Sequence, residues 1–555
     1  MTIAKVEKLN WERIRLWIIV SVLDENRSEA SSDALSFYLT DASASRAAAI
    51  LKPAKTEDGL YYLPLNITNR GDARVLGRGN YGLAVCDRDG GFLCYADCDL
   101  PAGELGALHR FFPYQGQRGL GYTLSSGQVF LHVSEKKGNA ARRLLSGSKY
   151  AMLQLYYNIQ SLRFSRDRDR TVLLITEMDH RIGGNLLAVQ KRLEEREAKQ
   201  ETDRKYRILV SARNSRGKEA GSLLEVLKKT AASSVIIADD HIPFLDRIDP
   251  GKDRKLLQLW HAGVGFKATG YSRWGHQGAI APMSAHRRIT YGIAASRQTA
   301  GIFAELWGIA DERVIPLGIP RMDALLREAA LGKESQVLRY LLQKYPILRD
   351  KRVILFAPTY RGKARGDAYY PLDRLDLMLW AERARAGGYA VLIKLHPWVE
   401  AKGFVPDACR DVIEEVHAES ELTELMLLAD MLVTDYSSAI FEFAALRKPM
   451  VFYAFDEEAY AAERGFHRPY RENAPGPVTG DFQELLDLLD GPWDTEAVEA
   501  YAKRHFDILD GKATDRVIDW LIEGKLPKEY REAVRKHDAE QKECKNKRFQ
   551  AINKS

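Results

Sequence analysis

Residues 429–453 read ADMLVTDYSSAIFEFAALRKPMVFY, and this stretch decides the fold. Met431–Thr434 is a short apolar run without polar alternation, the pattern of a strand covered on both faces. It stops at Asp435-Tyr436-Ser437-Ser438; a helical stretch follows, and Pro449–Tyr453 turns apolar again. Strand, turn, helix and strand form the repeating unit of a parallel sheet packed between helices. A serine at a helix start caps free backbone N–H groups, and the same turn, with two adjacent hydroxyls, can hold a diphosphate. Both uses stay open for Ser437 and Ser438.

Working outward, Val353–Ala357, Ala390–Lys394 and Asp411–Glu415 are predicted strands of the same sheet, with helices at about Leu372–Ala386, Leu422–Leu428 and Ala439–Ala445. An earlier series, Thr171–Thr176, Arg207–Ser211, Val235–Ala238, Leu256–Trp260 and Tyr291–Ala295, alternates with helices at about Asn185–Ala198 and Gly221–Lys229. The expected fold class is therefore α/β: two Rossmann-like domains, residues 165–335 and 345–525, facing a cleft, with ligand-binding residues just beyond the strand ends. Ahead of them, Ile14, Leu16, Ile18, Val20 and Val22 alternate with other residues, as in a half-buried strand. Residues 1–140 read as a β-rich accessory domain, a small sandwich. The charge-dense RFSRDRDR, residues 163–170, marks a solvated boundary.

A chain of 555 residues exceeds one core, and an apolar content of 45% suits a globular protein. Lys and Arg number 82 against 76 Asp and Glu. From Lys525 to Ser555 there are ten basic and five acidic residues, so this tail holds five of the net +6 charges. The rest is near neutral, which argues against nucleic acid as a partner. Residues 526–555 read as a basic helical tail, either a solvated terminus or a contact with an anionic membrane surface. Five cysteines, an odd and sparse count, point to a reducing compartment. Cys94 and Cys98 lack the further ligands of a zinc site. No secretory signal is read, and the best apolar run, Leu16–Leu23, is far shorter than the roughly 20 residues of a spanning helix. The expected location is cytoplasmic, peripheral on the inner face of the membrane.

Three further segments can carry chemistry. In LLQLWHAGVGFKATGYSRWG, residues 256–275, a strand delivers His261 into a glycine-rich loop. Gly263 and Gly265 let backbone approach a ligand, and Lys267 and Arg273 can meet phosphate. His261 can take a proton from a hydroxyl, although a lone histidine after a strand is often structural. FAPTYRG, residues 356–362, presents Arg361 after a strand broken by Pro358. VLIKLHPW, residues 391–398, presents Lys394 and His396, two apart and so on one side of an extended chain. Together they make a basic lining without a carboxylate cluster, which suits a pyrophosphate held without a metal; no cofactor is expected.

These motifs, with LGIPRMDAL at 317–325 and RGF…ENAPGPV at 464–478, occur in one order that resembles the CDP-glycerol glycerophosphotransferase family of teichoic acid and capsule synthesis. The resemblance covers about residues 171–525. It implies a fold of the glycosyltransferase-B type and transfer of glycerol phosphate, or another polyol phosphate, from a CDP-glycerol or CDP-ribitol donor to the hydroxyl end of a lipid-linked or polymer acceptor, releasing CMP. It implies His261 as general base and His396 at the donor phosphates. Arg361, Ser437 and Ser438 match donor-site positions, with Asp435 and Glu442 in the same motif. Two departures stand out. His467, Arg468 and Pro469 replace the aromatics and aspartate that follow RGF in many members, and the loop after His261 is glycine-rich rather than Gly-Thr-Pro. A glycosyltransferase with a nucleotide-sugar donor and a non-catalytic scaffold are the competing readings; an epimerase would need carboxylates that are not seen here. The polyol, the acceptor and the oligomeric state, a homo-oligomer included, stay open.

Overall fold

A computed structural model describes residues 2–23, 35–114, 118–137, 140–166, 168–201, 205–213, 223–263, 265–276, 279–362, 365–416 and 421–550. Gly221, the expected start of one helix, and the last five residues of the tail lie outside them.

The amino-terminal strands form one eleven-stranded sheet. Leu16, Ile18, Val20 and Val22 of the strand Arg15–Leu23 point inward and are fully buried, as their alternation predicts. One core collects inward residues from strands at both ends of the sheet, Leu63 and Tyr122 among them, so the sheet curls over itself. The expected sandwich is thus a single hydrogen-bonded sheet, closed in the middle by the parallel pairing of Ile3–Glu12 with Phe92–Cys98.

Two six-stranded parallel sheets follow. The first runs Arg207–Ala212, Thr171–Thr176, Val235–Ala238, Lys255–Gln258, Tyr291–Ala294, Val314–Pro316. The second runs Ile413–Glu415, Tyr389–Ile393, Arg352–Phe356, Met431–Thr434, Met450–Tyr453, Val478–Thr479. Every residue of Met431–Thr434 and Thr171–Thr176 is buried, which is why both read as unbroken apolar runs. The outer strands Val314–Pro316 and Val478–Thr479 escape sequence reading because three residues and two residues leave no periodicity to see. In the second sheet the order reverses between Arg352–Phe356 and Met431–Thr434, and such a switch point opens a crevice at the carboxyl ends of the strands.

The carboxy-terminal segments do not stay with the second sheet. Arg192 and Arg196 on the first unit bind Asp515 and Asp519, and Asp323 accepts from the backbone N–H groups of Ala513 and Thr514. Residues 513–522 are therefore anchored to the first unit, although sequence order groups them with the second. The tail, expected as a solvated terminus or a membrane contact, is docked on the protein and is not a free terminus. Helix Lys528–Asn546 buries Val534 and Cys544, Glu540 pairs with Lys52, and Phe549 packs beside Tyr38 and Phe92 of the β sheet. Its apolar side finds a protein partner, so its charge faces solvent around a docked helix. Among the described residues no helix is long and apolar enough to cross a membrane.

Candidate active site

The chain leaves the strand Lys255–Gln258 through Trp260, whose φ of 54° is left-handed, an uncommon conformation for an aromatic residue. The turn is held from several sides. Trp260 N–H donates to Gln258 Oε1 at 3.0 Å, and Asn185 Nδ2 donates to the carbonyls of Leu259 and Trp260 at 2.9 and 2.8 Å. This turn throws His261 into the cleft, its ring stacked on Trp260. His261 Nδ1 lies 2.8 Å from the Asp239 carbonyl oxygen. A carbonyl can only accept, so Nδ1 carries the proton and Nε2 of the neutral ring is left bare. The Asp240 carboxylate is 3.9 Å from Nδ1. Burial pushes the neighbouring Asp239 carboxyl up to about 6.

His396 has the opposite tautomer. Its Nδ1 accepts from Trp398 N–H at 3.2 Å, so the neutral ring is protonated on Nε2 and donates there. Burial, with Lys267 and Lys394 nearby, lowers its pKa to about 4, which keeps it neutral near pH 7. Tyr360 packs against His396 on one side and faces Lys267 on the other, with the ammonium 5.3 Å from the ring centre. Burial, reinforced by Arg464, brings Lys267 down to about 8.

These groups line one cleft of about 340 Å³ with Ser437 and Ser438. Ser437 Oγ accepts from Ala439 N–H at 3.2 Å, while the Ser438 hydroxyl caps nothing. The glycines of the histidine loop are spacers. A methyl group on Gly263 would lie 2.2 Å from Phe441 Cγ, so only glycine lets the loop reach the second unit. The loop also pairs with residues 465–467: Ala268 N–H donates to the Gly465 carbonyl, His467 N–H to that of Phe266, and His467 Nε2–H to that of Gly265 at 2.6 Å. The two departures from the family pattern are thus in direct contact, the histidine fastening the glycine-rich loop.

Other expected site residues lie behind the wall. Asp435 is buried and receives Thr359 N–H, Thr359 Oγ1–H, Tyr436 N–H and Arg361. Arg361 also binds Asp456 at 2.6 and 2.9 Å, and these carboxylates hold its pKa above the ordinary arginine value. The pair therefore fixes the Thr359–Tyr360 turn and does not line the cleft. Lys394 is buried apart from it, so Lys394 and His396 do not form a joint lining. Arg273 stands back from the cleft, where burial and the neighbouring Arg464 lower its pKa. Glu442 pairs with Arg321, whose guanidinium also donates to the His261 carbonyl. Asn185 and Arg321 were missed; the LGIPRMDAL motif holds Arg321, but nothing in its spacing tells that it bridges the two units.

The family model described as CDP-Glycerol:Poly(glycerophosphate) glycerophosphotransferase matches residues 155–523. The chain belongs to this family. Among curated relatives, a teichoic acid poly(ribitol-phosphate) polymerase of Bacillus spizizenii is 33% identical over 388 residues, covering 69% of this chain and 61% of that protein. The teichoic acid ribitol-phosphate polymerase TarL of Staphylococcus aureus is 30% identical over 389 residues, covering 67% of this chain and 68% of that protein. The chain thus spans about three fifths to two thirds of the length of these relatives. A solved structure of the wall teichoic acid polymerase TagF has a TM-score of 0.54 at 21% identity and covers 70% of this chain and 98% of that chain, a likeness of fold. Within the glycerophosphotransferase family match lie both parallel sheets and the whole cleft. The curled β sheet lies before it.

Proposed function

We propose that this chain moves a polyol phosphate from a CDP-activated donor onto the hydroxyl end of a teichoic-acid-like polymer, releasing CMP. The observation that carries the reading is the pair of opposed histidine tautomers in one cleft, His261 with a bare Nε2 and His396 with a donating one. An acceptor hydroxyl gives its proton to His261 Nε2 as its oxygen bonds to the β-phosphorus. The anhydride bond between the phosphorus atoms breaks, and CMP leaves with the electron pair. Charge grows on phosphoryl oxygens, where Lys267, His396 Nε2–H and the Ser437 and Ser438 hydroxyls are positioned donors.

The two parallel sheets around a shared cleft support the glycosyltransferase-B arrangement. The relatives matched over two thirds or more of this chain carry ribitol-phosphate names, while the glycerol-phosphate relatives match about half or less. This favours CDP-ribitol as the donor over CDP-glycerol. A place on the inner membrane surface is supported by the helix Ala140–Arg163. Met152, Leu155, Ile159 and Leu162 are exposed along it, and its sequence has four basic and no acidic residues, which suits an anionic leaflet.

The test is a donor screen with CDP-ribitol, CDP-glycerol and UDP-sugars, reading nucleotide release on a polyol-phosphate acceptor, with His261→Ala alongside. The expected result is CMP release from a CDP-polyol and a loss of about 10²–10⁴-fold in the variant. Release of UDP from a sugar donor, or full activity without His261, refutes the assignment.

A further inference from the structure

A second chamber, of about 740 Å³, lies away from the cleft, where the first parallel sheet meets the β sheet and the helix Lys528–Asn546. Ile236 and Leu256, near the starts of their strands, line it together with Thr290, which precedes the next strand. It is therefore at the amino ends of the strands whose carboxyl ends form the cleft. At roughly 3.3 Å per residue, the strand Lys255–Gln258, which leads to His261, spans much of the distance between the two in a few residues.

Its walls carry seven lysines and arginines against three aspartates. Arg254 and Arg287, at 7% and 9% exposure, form the deep part. Among the described residues Arg287 hydrogen-bonds to neutral oxygens, the Tyr271 hydroxyl and the carbonyls of Pro282, Gly308 and Thr68, with the Asp72 carboxylate near but not bonded to it. Arg254 bonds to two carbonyls, the Ser161 hydroxyl and the half-exposed Asp253, and its Nε has no partner among the described residues. Buried guanidiniums without a carboxylate of their own are costly unless an anion joins them, and Asp72 is already shared with Arg70 and Lys545. At the rim, Lys252 and Lys542 are exposed and, among the described residues, have no carboxylate partner.

We infer that this chamber binds phosphodiester groups of the polyol-phosphate chain whose growing end lies in the cleft. The inference rests on the proposed function for the identity of that chain. The chamber holds the polymer by charge, while the cleft works on its end. Because the site reads charge more than shape, binding weakens as salt screens it.

The experiment uses the full chain and a fluorescent ribitol-phosphate oligomer of about ten units, followed by anisotropy without donor. In Lys252→Glu/Lys542→Glu, a surface double variant, affinity is expected to fall at least about tenfold and its salt dependence to flatten, while CMP release on a short acceptor stays unchanged. Unchanged oligomer affinity overturns the inference. So does displacement of the oligomer by inorganic phosphate at equal phosphate concentration, which marks a single-ion site, or a loss confined to anionic phosphatidylglycerol vesicles, which marks a lipid site. The binding arm needs no turnover. Failure of transfer with oligomer binding still lost in the variant therefore counts against the proposed reaction and not against the chamber.

Discussion

Gly265 of the histidine loop lies against Ser438 of the second unit, where an added methyl group would come within 3.3 Å of the serine Cβ. The base loop and the hydroxyl turn are thus in packing contact, and the space left for substrate is set by the absence of side chains. Gly263→Ala is expected to be the more damaging change of the two, because its methyl group would meet the Phe441 ring at 2.2–2.4 Å. Overpacking of this kind costs about 1–3 kcal/mol. Thermal unfolding should show a lowered Tm and kinetics a lowered kcat, with Gly265→Ala milder in both. A Gly263→Ala enzyme with native kcat would show that the loop does not need this approach.

His396 is assigned as a neutral donor through Nε2. Glutamine can place an N–H near that point and alanine cannot. His396→Ala should lose about 10²–10³-fold in kcat, as for removal of one positioned donor. His396→Gln should keep much of the activity. Equal losses would mean that the ring acts in some other way. Since its pKa is about 4, His396 should add no limb to the pH–rate profile between pH 5 and 8.

Lys267 has its pKa lowered from 10.5 to about 8. Between those values the unfolded chain holds more protons than the folded one, so the contribution to stability rises with pH across that window. Below pH 8 the buried charge is a burden that an anionic donor relieves. Lys267→Met should therefore raise Tm at pH 7, flatten the rise between pH 8 and 10.5, and weaken donor binding. In the unaltered protein, calorimetry should show affinity for CDP-ribitol falling as pH passes about 8. A lower Tm for the methionine variant at pH 7 would contradict this account.

Met152→Glu/Ile159→Glu places charge on the exposed stripe of the helix Ala140–Arg163 without touching its buried Tyr157. The unaltered protein should sediment with vesicles rich in anionic lipid, and the variant should remain in the supernatant while releasing CMP normally on a soluble acceptor. Equal sedimentation of both would place membrane contact elsewhere.

The parallel strands were legible because burial on both faces makes them continuous apolar runs, and the cleft residues were legible because they follow those strands. Roles were harder to read. Arg361 and Asp435 sit beside the serines in sequence, yet the carboxylate turns inward to tie down Thr359 and the guanidinium follows it. Lys394 and His396 share a side only if the chain stays extended, and it leaves the strand after Ile393. Contacts between distant segments were invisible: Asn185 on the Trp260 turn, Arg321 between His261 and Glu442, and the tail helix against the β sheet. The tail's charge density suggested solvent or lipid, because the few apolar side chains that seat it, Val534 and Cys544, are a small minority of its residues.

Trp274 follows the loop of Lys267 and ends inside the β core, stacked 6.3 Å from Phe112 and 6.0 Å from Tyr114. The part of the chain that lies outside the family match therefore owns a socket for a residue of the part that lies within it. The two pack as one piece. A graft of the matched region onto a foreign amino-terminal module would arrive with an orphaned indole and a slack loop, so shuffling these modules between relatives requires the aromatic clasp to travel with them.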